Sequence, residues 1–116
     1  MVGATFAVTM SETTSKSNLT ILVVEATAPF AKGSTESDFD SRSTALSFGS
    51  KEILGESSIW LDLCKNAEAI RSINVSDKGR LGTTTISSEE QSVEALGFVI
   101  ENKDFGLTLQ NRLSAS

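Results

Sequence analysis

Residues 19–26 form a nearly continuous apolar run that ends at a carboxylate. Leu22, Val23 and Val24 follow one another without a polar interruption, and Glu25 comes directly after them. A run of this kind predicts a strand buried on both faces, as in a parallel sheet covered by helices. An acid at the end of such a strand can accept hydrogen bonds from the hydroxyls of a nucleotide ribose, or it can simply mark where the strand reaches water.

The residues before this run predict a short helix and a loop. In residues 1–10, Phe6 and Met10 can share one helix face, and small residues such as Gly3 would let that helix lie close to a strand. Residues 11–18 are polar and rich in Ser and Thr, which predicts a loop. Helix, short loop and buried strand is the order found in the second half of a βαβ unit.

Residues 27–40 predict a long loop, because they hold the only proline and are rich in Gly, Ser, Thr and acids. Asp40 or Ser41 is then a candidate N-cap for a helix. The apolar positions of that helix are Ala45, Leu46, Ile53 and Leu54. Residues 59–64 predict a second short helix in which Trp60 faces inward.

In the second half of the chain, the spacing of the apolar residues changes from the helical period to every second residue, which is the period of a strand. Residues 70–76 and 81–86 predict two strands of a hairpin, joined by a turn in which Gly79 can adopt a positive φ. Residues 96–101 predict a third apolar strand. Asp104 can cap a final helix. The apolar side chains of that helix are Phe105, Leu107, Leu109 and Leu113.

The composition narrows the chemistry that is available. The chain has 116 residues and a formal net charge of -5, which argues against a nucleic-acid partner. It holds no histidine and one cysteine, which excludes an internal disulfide, a cysteine metal cluster and histidine-based catalysis. Cys64 lies on an apolar helix face, which predicts a small buried side chain. Glu89, Glu90 and Glu94 predict a solvated acidic loop rather than a metal site.

Four segments carry a family resemblance. Gly3 matches the third glycine of the dinucleotide-binding fingerprint G-x-G-x-x-G, and Glu25 follows at about the 20-residue spacing of its ribose acid. Residues 39–47 resemble the aspartate-x-arginine motif of flavin-dependent aromatic hydroxylases. Residues 73–79 and 95–101 resemble the branch of that family that acts in ubiquinone biosynthesis.

The resemblance implies an α/β fold: a partial FAD-binding Rossmann-like domain that lacks its first strand, with a β-hairpin from the substrate domain. Residues 1–69 would belong to the FAD-binding domain, residues 70–94 to the inserted hairpin and loop, and residues 95–116 to a strand and truncated helix that return to the FAD-binding domain. Family members begin with a strand and two glycines that approach the FAD pyrophosphate, and neither precedes Gly3 here. We therefore expect an N-terminal-region fragment that is not a competent enzyme by itself.

The resemblance also implies cofactor contacts. Gly3 would allow close packing and approach to FAD, Glu25 would bind the adenosine ribose, and Arg42 would lie near the FAD phosphates at the start of its helix. Glu101, at the end of the third strand, would be a polar flavin contact. The ordinary alternatives are a flexible terminal glycine at Gly3, a solvated ion pair at Arg42 and polar strand ends at Glu25 and Glu101.

The implied function is FAD-dependent hydroxylation of the aromatic ring of a polyprenylated ubiquinone precursor, with NAD(P)H as reductant and O2 as co-substrate. No catalytic residue is named, because the flavin carries the reaction. We expect a cytoplasmic location, since no signal peptide or membrane span is evident. The lipid-tailed substrate implies contact with the periphery of the inner membrane or with a ubiquinone-synthesis complex. The alternative function is a non-enzymatic α/β binding module.

Overall fold

The computed structural model of the chain describes residues 1–14, 19–26 and 42–115. In chain order the elements are α1 (Val2–Thr13), β1 (Ser43–Ser47), α2 (Phe48–Gly55), α3 (Ile59–Leu63), β2 (Glu68–Ile70), β3 (Ser72–Ser76), β4 (Thr83–Ser87), β5 (Gly97–Glu101) and α4 (Asn102–Ala115). The predicted mixture of helices and strands is confirmed. Within the described residues, all strand pairs are antiparallel. No helix among them is long and apolar enough to cross a membrane.

β5 is the central strand of a three-stranded sheet with the order β1-β5-β2. Ser43 pairs with Glu101 and Ser47 pairs with Gly97, while β2 pairs along the other edge of β5. Gly97 lies close against the β1 backbone, and a β-carbon there would collide with the carbonyl oxygen of Leu46. The close pairing of β1 and β5 therefore depends on glycine at this position.

One hydrophobic core joins the four helices to this sheet. Its buried side chains are Val8, Leu54, Ile59, Leu63, Ile100, Phe105 and Leu109. Trp60 packs edge-on against Phe98 with ring centroids 4.9 Å apart, beside this core. The predicted helices over residues 59–64 and after residue 101 are thus confirmed, and their apolar faces supply most of the core.

The helix predicted to begin near Asp40 or Ser41 begins later. Residues 43–47 pair with β5 as strand β1, and Ser47 then caps α2, its Oγ accepting a hydrogen bond from the Ser50 N–H at 3.1 Å. Strand pairing overrides the helical spacing here, because the backbone of the segment pairs with β5 and its alternate residues, Thr44 and Leu46, are half-buried on one face of the sheet. The two predicted cap residues lie outside the described part of the chain.

Two polar contacts fasten α4 and α1 to the start of α3. The Arg112 guanidinium donates to Asp62 Oδ2 at 2.7 and 2.9 Å and to the Ser58 carbonyl oxygen at 3.2 Å. These hydrogen bonds favour the ionised carboxylate and hold the pKa of Asp62 below its ordinary value. From the other side, the Glu12 carboxylate accepts hydrogen bonds from the Ser58 N–H at 2.9 Å and from its hydroxyl.

The predicted hairpin is confirmed, with Ser72 opposite Ser87 and Ser76 opposite Thr83. Gly79, in the turn, has a φ of 87°, as the turn prediction requires. The second strand begins at Thr83, two residues later than the apolar pattern indicates.

The buried strand predicted over residues 19–26 is wrong. Residues 19–25 form neither helix nor strand, and none of them belongs to the sheets that the described residues build. Leu22 and Val24 are 83% and 82% exposed. Apolar content alone did not bury this segment, because burial also requires neighbouring strands and a covering layer of helices.

Other boundaries and burial predictions also change. Cys64 is exposed instead of buried, because it follows the last turn of α3, where its Sγ–H donates to the Leu61 carbonyl oxygen at 3.3 Å. α1 continues to Thr13, into the predicted loop. Asp104 lies in the first turn of α4 rather than at its cap. The remaining predicted loop residues, 15–18 and 27–40, lie outside the described residues. The division into residues 1–69, 70–94 and 95–116 stays a prediction.

Candidate functional site

A groove of about 690 Å³ lies between α1, residues 21–25 and the second half of α4. Its walls are largely apolar, and the polar side chains among its lining residues are those of Glu25, Gln110 and Ser114. The lining residues are Met1, Ala4, Ile21, Val23, Glu25, Gly106, Leu109, Gln110, Leu113 and Ser114. A largely apolar concavity with a few polar groups is the usual form of a small-molecule site.

One face of α4 forms the floor and a wall of the groove. Gly106, Gln110 and Ser114 follow one another at four-residue spacing, and Leu109 and Leu113 lie on the same side of the helix. Leu109 is 2% exposed and also belongs to the hydrophobic core, so the floor of the groove is fixed by the packing of the fold. Gly106 adds no side chain and leaves room beside α4.

Residues 21–25 form the opposite wall with every second side chain. Ile21, Val23 and Glu25 line the groove, whereas Leu22 and Val24 are the more exposed residues. The alternation is that of an extended chain, in which successive side chains point to opposite sides. The segment therefore keeps the side-chain period expected of a strand, although it belongs to neither sheet among the described residues.

Gly3 lies in the first turn of α1, between two residues that line the groove, Met1 and Ala4. A β-carbon at Gly3 would meet no atom from outside its own stretch of helix within 4 Å, so the space beside this position is open. The N-cap residue of α1 is Met1, which makes no side-chain capping hydrogen bond. Unpaired N–H groups at a helix start attract negative charge and hydrogen-bond acceptors.

Of the four predicted cofactor residues, one lines the groove and a second lies beside it. Glu25 lines it, and Gly3 belongs to the helical turn at its edge. A carboxylate beside an apolar surface can bind a ligand that combines a flat apolar ring with vicinal hydroxyls, as adenosine does.

The other two predicted residues lie together elsewhere, where β1 and β5 meet α4. The Arg42 carbonyl oxygen accepts a hydrogen bond from the Asn102 N–H at 2.9 Å, and Ser43 pairs with Glu101. The Glu101 carboxylate forms an ion pair with Lys103 Nζ at 2.9 Å. α4 joins the two places, since it begins at Asn102 and reaches the groove one turn later, at Gly106.

Lys51 and Asp62 have shifted pKa values, and ion pairs outside the groove explain both shifts. The pKa of Asp62 is lowered by Arg112, as described above. The pKa of Lys51 is raised by hydrogen bonds to Glu52 and Glu94, each at 3.0 Å. Neither group lines the groove, so the structure assigns neither of them to acid–base chemistry there. The described residues also bring no three potential metal ligands together.

The contribution of α4 to the groove is not predicted from the sequence, where Leu109 and Leu113 are named only as apolar side chains of the final helix. The signal was available in Gly106, Gln110 and Ser114, which place small and polar residues next to that apolar stripe. Arg42 and Glu101 were assigned to the same cofactor as Glu25, but sequence spacing carries no information on which sheet edge each residue reaches.

No known protein-family model matches this sequence.

Proposed function

We propose that this chain is part of a FAD-dependent, NAD(P)H-using monooxygenase that hydroxylates the aromatic ring of a polyprenylated ubiquinone precursor. Its motifs resemble those of 2-octaprenyl-6-methoxyphenol hydroxylase. The observation that carries the proposal is the position of Glu25 in a groove bounded by the turn that holds Gly3. These are the two residues in which the chain resembles a dinucleotide-binding fingerprint.

In this proposal the residues of the chain bind and orient FAD. The Glu25 carboxylate accepts hydrogen bonds from the ribose hydroxyls, and the open first turn of α1 admits the neighbouring part of the cofactor beside Gly3. The apolar groove walls cover the adenine ring. Arg42 and Glu101 contact more distant polar parts of FAD. The flavin supplies the oxidation chemistry when bound, so no side chain here is assigned as an acid or base.

We further propose that the isolated chain is not a competent monooxygenase. The support is the exposure of residues 19–26, which leaves the ribose-binding carboxylate on an extended segment outside both sheets of the described structure. A binding group that is not held by packed neighbours positions a cofactor poorly. The expected result is measurable FAD binding without NADPH oxidation, and purified chain that retains FAD and oxidises NADPH would overturn this part of the proposal.

The cofactor assignment is tested by titrating FAD into the purified chain and following flavin fluorescence anisotropy. Loss of a charge-assisted contact in Glu25→Ala is expected to weaken FAD binding roughly 10- to 100-fold. Glu56→Ala is the matched control, because it removes an exposed glutamate at the end of α2. Arg42→Ala is compared in the same way with Arg71→Ala. Unchanged affinity in both Glu25→Ala and Arg42→Ala would refute the site.

The second candidate is a non-enzymatic α/β module that binds a small apolar ligand. It is favoured by the predominantly apolar lining of the groove. An apolar dye competed by hydrophobic ligands but not by FAD or ADP would support this module, and competition by both nucleotides would support the monooxygenase.

A further inference from the structure

The hairpin of β3 and β4 projects from the body of the molecule. Its strands pair only with each other among the described residues, and every residue from 71 to 86 is exposed. A hydrogen bond from the Ser88 N–H to the Arg71 carbonyl oxygen, at 2.8 Å, closes its base. A two-stranded hairpin without a covering layer is only marginally stable in water. An arm of this kind therefore gains stability from a surface that covers one face.

The two faces of the hairpin differ in polarity. Cross-strand partners share a face, so Ile73 and Ile86 lie together, next to Val75. Ile73 and Val75 are 41% and 54% exposed, and Ile86 is 36% exposed. The opposite face carries only Ser, Thr and Asn side chains, including Asn74, whose Nδ2 donates to Thr85 Oγ1 at 3.1 Å. The hairpin is thus amphipathic along its length.

The tip places a fully exposed leucine among basic residues. The Leu81 side chain is fully exposed, and the residue follows Arg80 and precedes Gly82, which has a φ of 126°. Lys78 lies in the same turn, where Arg80 forms an exposed ion pair with Asp77 at 3.4 Å. A single apolar side chain next to cationic groups matches the boundary between lipid headgroups and acyl chains, where apolar atoms are buried and cations meet phosphate.

The hairpin is also the basic part of an acidic chain. Residues 71–87 hold three basic residues and one acidic residue, which gives the hairpin a local charge of +2. Because the whole chain has a net charge of -5, the remaining residues together carry a charge of -7. Lys51, Lys65 and Arg112 form ion pairs with carboxylates in the described structure. Arg71 and Lys78 form no such pair with a described residue, so their charge remains available to an external anionic surface.

We propose that the β3–β4 hairpin docks tip-first on an anionic lipid bilayer. Leu81 enters the headgroup boundary, Lys78 and Arg80 contact the phosphates, and the face of Ile73, Val75 and Ile86 follows against the surface. Repulsion of the acidic remainder selects this orientation. A nucleic acid is disfavoured, because residues 71–87 contain no aromatic side chain on which a base can stack. The inference does not rest on the proposed cofactor groove.

The test is co-sedimentation of the full chain with phosphatidylcholine vesicles that either contain or lack phosphatidylglycerol. Binding is expected to be at least about tenfold stronger to the anionic vesicles and to fall as salt rises, since each basic residue near the surface contributes about fivefold. Equal binding to both vesicles, or binding to neither, overturns the proposal.

Matched variants locate the contact. Lys78→Glu is expected to lower anionic-vesicle binding about tenfold, whereas Lys65→Glu, the same change on an exposed lysine after α3, leaves it nearly unchanged. Leu81→Ser is expected to weaken binding several-fold, and Leu61→Ser on the exposed side of α3 is its control. Equal losses in a variant and its control overturn the assignment. Two other results would also overturn it. One is binding of an RNA oligonucleotide that Lys78→Glu abolishes, and the other is a dimer in sedimentation velocity that the same substitution abolishes.

The variants also separate this proposal from the cofactor site. Leu81→Ser should leave the FAD titration unchanged, and Glu25→Ala should leave vesicle binding unchanged. Circular dichroism and denaturation midpoints confirm that each variant folds, which is expected for the tip variants because the tip residues do not belong to the core of the described residues.

Discussion

β5 and residues 20–24 are both short, apolar and rich in β-branched residues, yet one lies at the centre of the fold and the other at its surface. In β5, Ile100 is 1% exposed, whereas Leu22 and Val24 in the other segment are 83% and 82% exposed. β5 has a strand on each edge and helices over one face. An apolar sequence therefore marks a segment that can be buried, and the neighbouring elements decide whether the segment is buried.

The difference is large on the energy scale of a small domain. Full burial of one large aliphatic side chain contributes about 1.5–3 kcal/mol. The total stability of a domain is only about 5–15 kcal/mol. A few residues in the sheet and its helices can therefore dominate the stability, while an equally apolar exposed segment contributes little.

The strongest test of the comparison makes the same substitution in both regions. Leu63→Ala removes a side chain that is 1% exposed and is expected to lower the free energy of unfolding by about 2–5 kcal/mol, through lost burial and a cavity. Leu22→Ala is expected to change it by less than about 0.5 kcal/mol. Urea denaturation measures both, and a comparable loss in the two variants would show that residues 19–26 are packed after all.

A glycine pair tests the close approach of β1 and β5. Gly97→Ala is expected to cost about 1–3 kcal/mol, because the new β-carbon meets the Leu46 carbonyl oxygen and the strands must separate. Gly106→Ala, in the interior of α4 with no atom within 4 Å of its added carbon, is expected to stabilise by up to about 1 kcal/mol. Thermal denaturation measures whether the two substitutions change stability in opposite directions. A Gly97→Ala variant that is as stable as the unsubstituted chain would contradict the described register of β1 and β5.

The smallest expected effect on stability comes from removing one ion pair. The test compares the pair of Asp62 with Arg112 in the packed region with the pair of Asp77 with Arg80 in the hairpin. The lowered pKa of Asp62 means that its pair with Arg112 stabilises the fold above the unfolded-state pKa of about 3.9, and that this contribution is lost as pH falls through the lower folded-state value. Asp62→Asn should therefore lower the urea midpoint at pH 7 and not at the acid end of a pH series. Asp77→Asn in the hairpin is the control, and an equal shift there would remove the distinction.

Much of the second half of the fold could be predicted from the sequence. The hairpin, β5 and α4 follow local signals: alternation, a glycine that accepts a positive φ, and an apolar helix face that supplies Phe105 and Leu109 to the core. Elements with strong local patterns need little knowledge of the rest of the chain.

The prediction was wrong where a neighbour decided the outcome. Ala45 and Leu46 fit a helical spacing but lie in β1, because β5 pairs with them from more than 50 residues away. Residues 19–26 fit a buried strand but have no sheet to join among the described residues. Glu25 lines the groove beside the first turn of α1, and the α4 wall of that groove depends on helix packing that no sequence spacing reveals.

The pairing of β1 with β5 also has a consequence for the order of folding. The hydrogen bond between Thr44 and Asn102 beside this pair spans 58 positions, whereas that between Asn74 and Thr85 in the hairpin spans 11. Closing a long loop is slower and costs more chain entropy than closing a short one. We therefore expect the hairpin to form early and reversibly, and the sheet to close last. The part of the chain that forms first is then the part with the least core to retain it.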